Sequence, residues 1–171
     1  SLYHLDELKQ LTRTFRTRSV LLTKSKTELK RLLQISFPEF TKHFNPYSKW
    51  TLSLLHEYPL PTDYKGLHTI VLAGRLRTKS DRYNQALLLK QIAKDSIGKA
   101  SESQAFLIRS IVSDIIHYDN QLASIKKTIT IKMKLFPKIM SVPGIGPING
   151  ATILGETGDI NRFNNKHEYY A

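Results

Sequence analysis

The chain has 171 residues, enough for one domain with its own core or a small domain on an extended helical arm, and too few for a large multidomain enzyme. Lys and Arg outnumber Asp and Glu 26 to 14, giving a formal charge of +12 and an isoelectric point near 9.9, so the surface attracts polyanions and nucleic acid is the first partner to test. The absence of cysteine excludes disulfide frameworks, zinc knuckles and thiol catalysis, and no apolar run reaches the ~20 residues of a bilayer span, which together read as a soluble cytoplasmic protein without membrane contact.

From Leu2 to about Leu33 there is neither proline nor glycine, and Leu8, Phe15, Leu22 and Leu29 recur once per heptad. Leu5, Leu11, Leu32 and Leu33 widen the stripe, which predicts a long amphipathic helix over 1–36. Between Lys9 and Arg31 eight basic residues face one acid, Glu28, so Arg13, Arg16, Arg18, Lys24 and Lys26 stand on a positive face. The plain alternative for such a run is a solvated helix face.

Phe37-Pro38 and Asn45-Pro46 break the pattern, because proline removes a donor and restricts its predecessor. A short helix follows over 48–57, Tyr58 to Pro61 reads as an extended or turn connection, and helices are predicted over 67–76 and 81–96, the latter capped by Ser80. Gly66, Gly74 and Gly98 read as terminators or weak spots. Residues 37–100 thus form a helical insert. Over 101–136 Ile108, Ile111, Ile115, Tyr118, Leu122, Ile125 and Ile129 alternate three and four apart, the seam of a coiled coil, interrupted at Lys132 and ended by Pro137. The simplest construction is an antiparallel hairpin of two long helices with the insert at its tip; the competing one pairs a seam with a second chain to make a homo-oligomer.

Over 137–171 the informative stretch is Ser141-Val142-Pro143-Gly144-Ile145-Gly146-Pro147-Ile148-Asn149-Gly150-Ala151-Thr152-Ile153-Leu154. It has the signature of a helix-hairpin-helix: two glycines permit a tight turn and a close phosphate, Ile145 plugs between helices, and Pro147 starts the second one. Its turn amides would cradle a phosphate without reading the base. The competing reading is a glycine turn between packed helices, and Gly150, inside the second helix, is explained by a close helix approach. No Walker-type loop and no Ser/His/Asp set is present. Asp114, His117 and Asp119 read as a wet helix surface rather than metal ligands, and Asp159, near Glu156 and Arg162, as the cap of a short helix.

In this order the features resemble the "one-ten" family of insertion-sequence transposases. The likeness runs through Leu8 to Arg13, Phe37-Pro38-Glu39-Phe40, Leu54-Leu55-His56-Glu57-Tyr58-Pro59, Ala93 to Ile97 and, most specifically, Val142 to Phe163. Gly150 stands where related sequences often carry alanine. The resemblance implies an upstream nuclease domain of the RNase H fold whose four carboxylates bind magnesium, a helical coiled-coil region, and a C-terminal domain with a serine nucleophile; some members are guided by a structured RNA. Ser141 does not match that serine, so no catalytic residue is carried over. With Ser1 in place of methionine and a stop at Tyr169-Tyr170-Ala171, both ends are read as cut.

The expectation is therefore an all-α fragment that binds DNA, and a structured guide RNA, without a cofactor or metal of its own. Gly144, Ile145, Gly146 and Pro147 would grip phosphates. Arg13, Arg16, Arg18, Lys24, Lys26, Lys126, Lys127, Lys132, Lys134 and Lys138 would supply most of the affinity. Two alternatives stand beside it: a dimerisation arm without nucleic-acid contact, and a repair or junction-binding module outside the transposases.

Overall fold

A computed structural model gives the fold; it describes the backbone of residues 2–168 and the side chains of residues 3–158. The described residues are all-α: α1 (Leu2–Ser36), α2 (Pro38–His43), α3 (Lys49–Glu57), a single 3-10 turn (Pro61–Tyr64), α4 (Thr69–Arg75), α5 (Arg82–Lys94), α6 (Glu102–Met133), α7 (Pro137–Met140) and α8 (Pro147–Glu168). They divide into an insert unit, Leu22–His117, and a terminal unit, Ser1–Leu21 with Tyr118–Ala171. Both long helices contribute to both units.

In the insert unit the leucine stripe of α1 does what its spacing predicts: Leu22, Leu29, Leu32 and Leu33 are buried. Buried with them are Phe37, Phe40, Leu52, Leu54, Leu55, Tyr64, Leu72, Leu76 and Leu89 from the short elements, and Ile108, Val112 and Ile115 from α6. Phe37 meets both Phe40 and Tyr64 edge-on, at centroid distances of 5.5 and 5.9 Å, a geometry favoured by the ring quadrupoles.

Several local expectations are corrected. Pro38 does not only break α1: it stands at the first position of α2, where a missing amide costs nothing and the fixed φ suits a helix. Pro61 likewise opens the 3-10 turn, in which Asp63 accepts the amide of Leu60 at 2.9 Å. The cap of α5 is Asp81, not Ser80; its carboxylate accepts the amides of Tyr83 and Asn84, satisfying donors that open every helix. Gly98 is no weak spot. An added Cβ there would lie 2.1 Å from the carbonyl oxygen of Ser36, next to the bond from the Lys99 amide to the Ile35 carbonyl (2.8 Å).

The terminal unit is built on four helical pieces, parts of α1 and α6 with α7 and α8. Lys132 meets Glu7, and Arg18 meets Gln121, so the first part of α1 and the last part of α6 run antiparallel. Their seam closes over Leu8, Ile129, Met133 and Ala151, with Leu11, Ile125, Ile148 and Leu154 half-buried around them. The apolar seam resumes after Lys132 at the buried Met133, where α6 ends, and Pro137 starts α7.

α8 seats against α1 through two glycines that have no room for a side chain. A Cβ on Gly155 would come within 3.1 Å of Lys9 Cα, and one on Gly158 within 3.1 Å of Leu5. Their order along α8 opposes that along α1, so these two also run antiparallel. Gly150 has a different reason for its size: Met133, Ile145 and Met140 side-chain atoms, not a helix backbone, crowd it. Asp159 caps nothing, because its backbone lies inside α8; its side chain and that of Arg162 lie outside the described residues.

Candidate nucleic-acid interface

The elbow between α7 and α8 follows from local chemistry. Gly144 has φ +82°, a left-handed conformation that side chains resist, and it turns the chain after Pro143. Ile145, half-buried, bends back over Gly150 and donates its amide to the Val142 carbonyl at 3.2 Å. Pro147 then opens α8, whose hydrogen-bond ladder begins with the Gly150 amide on the Gly146 carbonyl at 2.9 Å. Gly144 and Gly146 are exposed, and among the described residues neither amide has a protein acceptor. Nothing stands within 4 Å of the Cβ position of either. The elbow thus presents two free amides, with Ile145 as a plug rather than a third donor.

The basic residues of the terminal unit divide by what they touch. Lys126 and Lys127 are exposed on α6, Lys134 is exposed in the turn that follows it, and Lys138 is exposed on α7. Arg16 is exposed on α1. Arg13, also exposed, lies 3.5 Å from Glu156 of α8, a surface pair of the kind that contributes little stability. Arg18 is bound to Gln121. Lys132 is committed inward: its ammonium lies 2.5 Å from Glu7, and that hydrogen bond, with a second from Tyr3, holds the Glu7 carboxyl below its usual range. In the insert unit Lys24 is exposed, and Lys26 lies over the Tyr47 ring at 5.4 Å while its carbonyl accepts the Tyr47 hydroxyl.

Neither the Lys132–Glu7 pair nor the seat of α8 on Lys9 and Leu5 has a signal in the sequence, because both join residues more than a hundred positions apart. Among the described residues no group of three or more His, Asp or Glu could hold a metal ion, and the magnesium chemistry implied by the resemblance is assigned to none of them. No described helix is long and apolar enough to cross a membrane.

No curated protein and no solved structure matches the chain. A family model does: that of the transposase IS116/IS110/IS902 family matches residues 137–170, which hold α7, the elbow and α8. Over residues 137–170, about a fifth of its length, the chain is similar to transposases of the IS116/IS110/IS902 family.

Proposed function

We propose that this chain is a nucleic-acid-gripping part of a transposase acting in DNA transposition, and that its elbow works as a helix-hairpin-helix on backbone phosphate. The observation that carries the reading is the pair of exposed, acceptor-free amides at Gly144 and Gly146, inside the segment matched by the transposase family. Two such N–H groups at the positive end of a long helix suit a phosphate oxygen and ignore the base. Lys126, Lys127, Lys134, Lys138 and Arg16 supply charge to the same unit, and Lys24 and Lys26 extend the basic character of α1. DNA is the principal partner, with a structured guide RNA recognised through the same phosphate chemistry. Strand cutting belongs to carboxylates and a serine elsewhere in the transposase.

Duplex DNA titrated by fluorescence anisotropy tests this. Affinity should fall at least about tenfold between 50 and 200 mM salt as counterions are released. Gly146→Val, which fills open space and leaves the packed interior alone, should weaken binding about tenfold, the value of one charge-assisted hydrogen bond, at unchanged melting temperature. Negligible binding at low salt, or full affinity in Gly146→Val, would sink the reading. A dimerisation arm has its own support in Ile131, near the end of α6, and Leu135, in the turn after it, which are 55% and 59% exposed. Light scattering that shows a dimer together with no DNA binding would decide for the arm.

A further inference from the structure

In the insert unit, the 3-10 turn, the start of α4 and one face of α5 enclose a cavity of about 600 Å³. That lies within the range of about 300–1,000 Å³ common to small-molecule sites. Three lysines line it, Lys65, Lys90 and Lys94, and no acid does. None of the three pairs with a carboxylate among the described residues. The acids nearest in sequence accept other donors: Asp63 takes the Leu60 amide at 2.9 Å, and Asp95 takes the side-chain amide of Gln91, itself on the cavity wall, at 2.5 Å. Lys90 is held in place by a 2.5 Å bond to the Leu67 carbonyl.

Three uncompensated cations around one concavity repel each other unless an anion joins them. Thr62 and Thr69 add hydroxyls on the same wall, whereas Leu87, 43% exposed, and Pro61 give an apolar side. A bare phosphate would leave most of the volume and the apolar wall unused. A phosphate joined to a flat ring would use both.

We infer that this cavity is a nucleotide site, with Lys65, Lys90 and Lys94 on the phosphate and the base against Leu87. A free nucleotide and a nucleotide within a single strand present the same chemistry. The site rests on its own charges and volume, so it stands or falls independently of the elbow.

The test uses the full chain with adenosine monophosphate, a ten-residue oligothymidylate and inorganic phosphate as probes, followed by backbone amide NMR. Shifts at Lys65, Thr69, Leu87 and Lys94 with the mononucleotide support a free ligand; shifts there with the oligonucleotide alone support a strand as the source. The double variant Lys65→Glu with Lys94→Glu, both exposed, removes two charge-assisted hydrogen bonds to the phosphate. It should bind at least about tenfold more weakly, with unchanged circular dichroism. Leu87→Asp should weaken the mononucleotide and leave inorganic phosphate unaffected. Shifts confined to Gly144–Asn149 would overturn the pocket while leaving the elbow reading intact. Equal affinity for inorganic phosphate and the mononucleotide would overturn the nucleotide assignment.

Discussion

The insert unit and the terminal unit solve the same packing problem with different means. The first wraps short helices around large, fully buried side chains such as Phe37, Phe40, Tyr64 and Leu72. The second brings four helical pieces together over a cluster of four buried apolar residues, Leu8, Ile129, Met133 and Ala151, and relies on backbone proximity at Gly155 and Gly158. A broad apolar core tolerates a cavity poorly but resists local opening; a narrow one opens more readily. The phosphate-gripping elbow is proposed on the narrow side, where adjustment to a ligand costs least.

The largest effect should fall on the insert core. Phe37→Ala removes a ring packed against Phe40 and Tyr64, and should cost about 3–5 kcal/mol, against about 2 kcal/mol for Met133→Ala in the terminal unit. Trp50, the only tryptophan, stands in the insert unit, so its fluorescence follows that unit while helical circular dichroism follows both. Equal losses by both probes for the two variants would break the comparison. Next comes Gly98→Ala, where the intruding methyl meets backbone rather than a movable side chain; chemical denaturation should show a loss of about 3 kcal/mol, the upper end for overpacking.

The glycines of α8 sharpen the contrast with opposite signs. Gly155→Ala gains about 1 kcal/mol of helix propensity but presses a methyl onto the backbone of Lys9, so it should lose about 1 kcal/mol net. Gly150→Ala gains the same propensity against the tip of Met133, a flexible side chain that can turn aside. It should be neutral or slightly stabilising in thermal melts. If both variants lose stability alike, α8 is not held on α1 in the way described.

What the sequence discloses, and what it hides, divides along a physical line. Periodicity is local, so α1 and α6 are legible from Leu8, Leu22, Leu29, Ile108, Ile115 and Ile129, all of which are buried. The all-α class follows from the same signal. Proline misleads at Pro38, because a residue that cannot continue one helix is well suited to begin the next. Gly155 and Gly158 carry no local signal of their role, since nothing nearby in sequence reveals that Lys9 and Leu5 pack against them. On the candidate interface, Gly144 and Gly146 are recognisable from turn chemistry, and the Ile145 amide is used up within the same turn, whereas the inward pairing of Lys132 depends on tertiary geometry. The lysines of the insert cavity come from separate segments and carry no spacing pattern at all.

The smallest effect is the most specific in sign. Glu7 is held below its ordinary pKa of 4.5 chiefly by the hydrogen bond from Lys132, so the pair stabilises the folded chain above that value, where the carboxylate is charged in both states. As pH falls through the depressed folded value, the carboxyl protonates and the contribution disappears. Glu7→Gln should therefore melt slightly below the parent at pH 7, and the difference should close towards pH 3. Lys132, released by that substitution, becomes a free cation of the terminal unit, so Glu7→Gln should also bind DNA slightly more tightly, with a salt slope steeper by up to about one. A melting difference that persists unchanged at pH 3 would mean that packing, not the ion pair, joins α1 to α6 at this point, and that the charge of Lys132 was available to a phosphate all along.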